Sequence, residues 1–263
     1  QRTRDFNQET AERIHALAKQ ILAEIGLEVL DAGHREKLAA AGLVFRGKRL
    51  VLAPDFVDAQ VEEMRSQVSA WGGGSDGEEG QRLTMSVSSY SLYVQEIESG
   101  SVEPATTERL VEMTKLIDTL AGEGVSGAPP GIPTEVHPDL QPLAQYLIGA
   151  TYARQGASPV DPTAPHTARF LLEMAEVMGN PIRGLPVYIP TPLRLGGESL
   201  AVVMACLDRL EHISISSMPA TGLSAPVQPF GALALAAAEV IGGMIAVKIL
   251  TGKPVTCSAN IFP

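Results

Sequence analysis

His212-Ile-Ser-Ile-Ser-Ser-Met-Pro219 alternates apolar and polar side chains. A loop of small, hydroxylated and rigid residues follows, Ala220-Thr-Gly-Leu-Ser-Ala-Pro-Val-Gln228. Period-two alternation reads as a strand. Pro229 then opens a run of Ala, Gly, Ile and Leu to about Leu250; proline suits a first helical position because its missing N–H is not needed there. Lys253-Pro-Val-Thr-Cys-Ser-Ala-Asn-Ile-Phe262 is β-prone again. Strand, loop, helix, strand is the unit of a parallel α/β fold.

The helix predicted over Phe230–Leu250 has about the twenty residues needed to cross a bilayer. Glu239 near its middle and Lys248 near its end argue against that, because a mid-bilayer carboxylate costs about 2.5–3.5 kcal/mol. A helix wedged between a sheet and a neighbouring helix or subunit explains the small residues better. Glu239 is then expected to pair with a neighbour or to face an interface.

Upstream, the same rhythm recurs. Leu83–Ser89 alternates, and Leu92–Ile97 reads as a hairpin arm turning at Ser99-Gly100. Thr106 or Thr107 can cap a helix over 107–121. Val125–Ala128 is a weak strand, 139–154 a helix, Ala157–Asp161 a poor strand, 164–178 a helix, Pro186–Pro190 a clearer strand and 197–210 a helix. Strand centres at Leu83, Val125, Ser158, Val187, Ile213 and Val255 give six strands separated by five helices. This beat predicts an α/β fold, a (β/α)8 TIM barrel incomplete in this chain. A doubly wound sheet would show a glycine-rich first turn, which is missing. An open parallel sheet leaves unpaired edges, so two further strand–helix units are expected beyond Pro263 or from another chain.

Before the barrel, residues 8–25 carry one apolar helical stripe, His34–Ala41 a short helix, 43–52 a small hairpin, and Pro54 opens a third helix. Gly72–Gly80 resembles a phosphate cradle only superficially. It lacks the Lys-Ser/Thr of a P-loop, and its carboxylates would repel phosphate, so it reads as a linker. The expected division is 1–80, a helical N-terminal extension and linker, and 81–263, a TIM-barrel domain truncated after its sixth strand.

Bulk properties exclude several classes. A net charge of −10 over 263 residues argues against nucleic acid or an anionic membrane as a partner. Two cysteines, Cys206 and Cys257, make neither a disulfide framework nor a zinc cluster, which points to a reducing, cytoplasmic compartment. No signal peptide is visible at Gln1, and the missing initiator Met points to a start inside a longer reading frame.

In a barrel the working residues lie at the C-terminal strand ends. These positions select Ser89, Tyr90, Asp161, Thr191, Ser216, Met218, Ser258 and Asn260 as candidate substrate contacts. They are small, hydroxylated and mostly neutral. No strand-end Lys, no His/Cys triple and no pair of carboxylates stands among them, so no catalytic residue and no metal site is assigned. Tyr90 could form one wall of a site for a cation, since a ring face attracts ammonium by about 0.5–2 kcal/mol. His137, His212 and Cys257 read as structural. Composition and spacing name no reaction.

Four passages carry a resemblance: Ile21-Leu-Ala-Glu-Ile-Gly-Leu-Glu-Val29; Pro104-Ala-Thr-Thr-Glu108; Thr191-Pro-Leu-Arg-Leu-Gly-Gly-Glu198; and Met218-Pro-Ala-Thr-Gly-Leu-Ser-Ala-Pro-Val227 with Gly231-Ala-Leu-Ala-Leu-Ala-Ala-Ala-Glu-Val240. In this order they resemble the trimethylamine methyltransferase family, corrinoid-dependent amine methyltransferases. The resemblance implies a TIM barrel with a helical extension that transfers a methyl group from a methylamine or quaternary amine, trimethylamine or betaine type, to a corrinoid (cobalamin) supplied by a partner protein. It implies no cofactor bound directly. In trimethylamine-specific members the pyrrolysine lies past the region matched here, and many relatives lack it and act on betaines. The competing expectations are a catalytically silent binding or assembly subunit of the same family and an unrelated barrel lyase or aldolase. The apolar helix 230–250 adds an expectation of a homo-oligomer.

Overall fold

The computed structural model describes residues 7–70, 85–157 and 159–262. The chain divides into two compact units, Gln1–Gly74 with Arg183–Pro263, and Ser75–Ile182.

The first unit opens with α1 (Gln8–Glu24), β1 (Leu27–Val29), α2 (Ala32–Ala40), β2 (Val44–Arg46), β3 (Arg49–Val51) and α3 (Pro54–Ala70). Asn7 caps α1 by accepting the Thr10 N–H, and Asp31 caps α2 by accepting that of His34, satisfying donors that a helix start leaves free. Asp58 of α3 reaches back to α1, 2.6 Å from Lys19 and 2.9 Å from His15.

The second unit holds β4 (Met85–Ser86), β5 (Tyr93–Gln95), β6 (Val102–Pro104), α4 (Thr107–Thr119), β7 (Val125–Ser126), α5 (Gln141–Tyr152) and α6 (Pro165–Val177). β4 and β7 pair in parallel, while β5 and β6 form an antiparallel hairpin. Thr106 caps α4 as its position predicts. The helices pack through small apolar clusters, Ala105, Leu110 and Ile148 in one and Tyr146, Leu171 and Ala175 in another.

The first unit resumes with β8 (Gly184–Ile189), β9 (Arg194–Leu195), α7 (Glu198–Ala205), β10 (His212–Ser217), α8 (Pro229–Thr251) and β11 (Val255–Ala259). β10 lies between β8 and β11, parallel to both, with Ile215 opposite Val187 and Cys257. Side chains alternate across this sheet. Leu185, Val187, Ile189, Ile213 and Ile215 are buried, and Ile189 and Ile215 face α8 at Gly243. A Cβ there would lie 2.8 Å from Ile189 Cδ1 and 2.9 Å from Ile215 Cγ2. One residue earlier, a Cβ on Gly242 would meet Leu22 of α1 at 2.8 Å. Two successive glycines thus let α8 approach the sheet on one side and α1 on the other. α8 is long and apolar enough to cross a membrane, yet most of its apolar stretch is buried within the chain. α1, α2, α3 and the sheet pack against α8.

Several expectations are refined. The described residues form a mixed α/β fold with several small sheets and no closed barrel. The centres Val125, Val187, Ile213 and Val255 fall on strands in parallel pairs. Leu83 and Ser158 lie outside the described residues, as do the Gly72–Gly80 linker and the boundary drawn at residue 80. β4 begins two residues after Leu83. Residues 159–161 are not strand: Pro159 has no N–H for a ladder, and the Val160 N–H bonds to a side chain, that of Gln145. The N-terminal extension is not purely helical either. Its strands form a sheet in the order β2-β3-β1-β9, in which β1 pairs in parallel with Arg194–Leu195.

Candidate functional site at the strand ends

In the first unit, the loops after β8 and β10 are held from beneath by Glu239. α8 is apolar for turns on either side, so this carboxylate is carried wholly into the interior, with no measurable exposure. One oxygen accepts the Leu193 N–H at 2.8 Å; the other accepts the Thr191 hydroxyl at 3.0 Å and the Ser217 hydroxyl in a very short contact. Burial pushes the carboxyl above its usual range, and the three hydrogen bonds pull it partly back. Leu193 sits at φ +53°, a left-handed conformation that costs a branched residue about 1–2 kcal/mol. Glu239 therefore fixes a strained turn and the end of the neighbouring strand at once.

The other face of the same sheet is hydroxylated. Ser214 and Ser216 of β10 stand beside Thr256 and Ser258 of β11, and Ser216 lies opposite Tyr188 of β8. The Ser258 hydroxyl donates to Ser216 Oγ at 3.3 Å. Past the strands, the Asn260 N–H bonds to Ser217 O, the Phe262 N–H to Pro219 O, and the Thr221 N–H and hydroxyl to Phe262 O. The 218–228 loop is thereby fastened to the segment after β11, and Met218 is exposed on it.

In the second unit the corresponding role falls to Gln145 of α5. Its side chain is fully buried. Its Nε2 donates to Ser89 O at 2.9 Å and to Gly131 O at 2.6 Å, and its Oε1 accepts the Val160 N–H at 2.8 Å. The residues after Ser89 and Val160 are Tyr90 and Asp161, and the Tyr90 hydroxyl donates to Asp161 Oδ2 at 2.8 Å. Tyr90 is exposed and Asp161 half-buried, so an aromatic ring and a carboxylate are presented together to solvent.

The eight sequence-selected residues thus fall into two groups. Ser89, Tyr90 and Asp161 come together around Gln145. Thr191 joins the Glu239 cluster with its hydroxyl turned inward, Ser216 and Ser258 share the sheet face away from α8, and Met218 and Asn260 flank the fastened loop. Sequence reasoning passed over Gln145, whose place in an ordinary amphipathic helix gives no signal; it expected Glu239 to pair with a neighbour or to face an interface, and the neighbours are Thr191, Leu193 and Ser217. His212 carries its ring against Gly184, where a Cβ would meet it at 2.3 Å. Among the described residues no group of three or more His, Cys, Asp or Glu side chains is placed to hold a metal ion.

The sequence pattern of the trimethylamine methyltransferase family matches residues 1–259. The chain belongs to this family. It is also similar to a glycine betaine methyltransferase of Desulfitobacterium hafniense (strain Y51), 23% identical over 266 residues, covering 95% of this chain and 54% of that protein. The chain therefore spans about half the length of the curated relative it matches. The family match runs through the strand-end segments just described, including Tyr90, Asp161 and the Glu239 cluster.

Proposed function

We propose that this chain is the amine-binding part of a methyltransferase that moves a methyl group from a quaternary amine of the betaine type to the cobalt of a corrinoid carried by a separate cytoplasmic protein. The observation that carries this reading is the Tyr90–Asp161 pair, taken with membership of the family. A quaternary ammonium has no N–H to donate, so it is recognised by diffuse negative charge and aromatic faces. The pair offers both, and the Tyr90 hydroxyl bond to the carboxylate makes the ring more electron-rich. An overall charge of −10 favours approach of a cation.

The chemistry asks little else of the protein. A reduced corrinoid would supply the nucleophile for the methyl carbon; the C–N bond would break with its electron pair staying on nitrogen, and a tertiary amine would leave. No proton needs to move in this step, so hydroxyl-lined strand ends are compatible with it. Placement of the reactants supplies the acceleration, and good alignment is worth about 7–11 kcal/mol. Within their own units, β4 and β7 run parallel, as do β8, β10 and β11, and parallel strands alternating with helices are the local unit of the (β/α)8 barrel we propose for residues 81–263.

Titration calorimetry with glycine betaine, trimethylamine and glycine tests the binding step. Glycine betaine should bind and glycine should not, and Tyr90→Ala should abolish the difference. Turnover is tested by adding a corrinoid protein with reduced cobalt and following methylation by absorbance. Equal binding of glycine and glycine betaine would overturn the reading, and tight binding without turnover would support a silent binding subunit.

A further inference from the structure

We infer that Gln145 is the positioning residue that sets the separation and orientation of Tyr90 and Asp161, and through them the selectivity of this chain for quaternary ammonium. The inference rests on the amine-binding reading above but stands on its own geometry.

A primary amide can donate twice and accept at its oxygen. Gln145 uses both N–H groups on backbone carbonyls, Ser89 O and Gly131 O, and its oxygen on the backbone N–H of Val160. This pattern fixes which end is nitrogen, because carbonyls only accept and the N–H only donates. The three partners belong to three separate loops. Two of them, Ser89 and Val160, immediately precede the two residues of the exposed pair. One rigid side chain therefore holds both arms of the Tyr90–Asp161 hydrogen bond by their backbone.

The 159–161 segment is tied by Gln145 through its backbone. It lacks a strand ladder, as Pro159 contributes no N–H, and the Val160 N–H has Gln145 as its partner. On the opposite side, the Ile132 N–H to Ser91 O bond at 2.8 Å links the loops of Tyr90 and Gly131 independently. Loss of Gln145 thus releases the backbone beside both arms, and the pair loses its set separation. A ring without its carboxylate still attracts cations, but less strongly and with less discrimination between quaternary ammonium and a protonated tertiary amine.

The test uses Gln145→Met, which keeps the volume and removes all three hydrogen bonds, in the full chain. Tyrosines are labelled with ¹³C; Tyr90 is assigned among the five tyrosines by Tyr90→Phe. In Gln145→Met the Tyr90 resonance should move to its position in Asp161→Asn, showing the pair broken. Glycine betaine affinity should fall about 3- to 30-fold, the range of one cation–aromatic contact, and adding Gln145→Met to Asp161→Asn should cost little more. A merely structural role would lower stability, leave the Tyr90 resonance in place and give additive losses, and that result would overturn the inference. If wild type binds no quaternary amine while the resonance moves as expected, the amine-binding reading fails and the positioning role stands. Should Gln145→Met fail to fold, Gln145→Asn keeps the amide but is one methylene too short to reach all three partners, and is read the same way.

Discussion

Replacing Glu239 by alanine should destabilise the chain by about 2–4 kcal/mol. The substitution is innocuous for helix propensity, as alanine is the best helix former and its neighbours in α8 are already alanine. The loss comes from the partners. Ser217 has no measurable exposure and Leu193 is buried, so their hydroxyl and N–H are stranded. Each stranded buried group costs about 1–3 kcal/mol. The Thr191 hydroxyl is half-buried and can turn to water. The two stranded groups sum to about 2–6 kcal/mol, and relief from burying the carboxylate trims the upper end. The left-handed Leu193 also loses the bond that holds its turn.

Glu239→Gln separates charge from hydrogen bonding. The amide oxygen can still accept the Leu193 N–H, while its nitrogen faces two hydroxyl groups able to accept. Because burial raises the carboxyl above its ordinary value, the folded state holds this proton to higher pH than the unfolded chain does. Wild type therefore loses stability relative to Glu239→Gln as pH climbs from the ordinary carboxylate value of about 4.3 to the raised one, and the gap is constant above that. Denaturant unfolding of wild type, Glu239→Ala and Glu239→Gln, followed by circular dichroism across this window, checks both points. An alanine variant as stable as wild type, or a wild-type–glutamine difference flat in pH, would refute the account of Glu239 as a buried three-way acceptor.

Other substitutions give further measurable outcomes. Gly243→Val should lower stability by about 1–3 kcal/mol, because its side chain must displace Ile189 and Ile215, and thermal melting will show it. Thr106→Ala should cost about 1 kcal/mol through loss of the α4 cap, with Thr106→Ser recovering most of it in denaturant melts. Asp58→Asn should destabilise only above the ordinary carboxylate range: hydrogen bonds from Lys19 and then His15 depress Asp58, so its contribution is present at neutral pH and disappears as pH falls. Binding titrations of Asp161→Asn should show a weaker dependence of glycine betaine affinity on salt than wild type.

Periodicity made the long elements legible. α1, α3, α4, α6 and α8 begin and end within a few residues of the positions that caps, prolines and apolar stripes predict, since those signals are local. The strands of two or three residues were not legible in the same way. Leu27–Val29 and Arg194–Leu195 are too short to show alternation and exist because they pair with each other across the chain. The same holds for the site. Tyr90 and Asp161 were found from strand-end position, but their direct hydrogen bond joins residues far apart in sequence. Glu239 was visible as a lone charge in an apolar helix, and that oddity was its signal; its partners were not foreseeable, because Thr191, Leu193 and Ser217 meet it only once β8 and β10 lie side by side. Gln145 carried no such signal, as one glutamine per helix is ordinary on a solvated face.

The pairing of β1 with β9 ties the front of the chain to its middle. Glu28 donates its N–H to Leu193 O at 2.8 Å and Leu30 to Leu195 O at 2.9 Å, and Leu193 is the residue that Glu239 grips. The first fifty residues are thus woven into the sheet that carries this turn, not merely appended to it. Cutting them away would leave β9 unpaired beside the very turn that Glu239 secures.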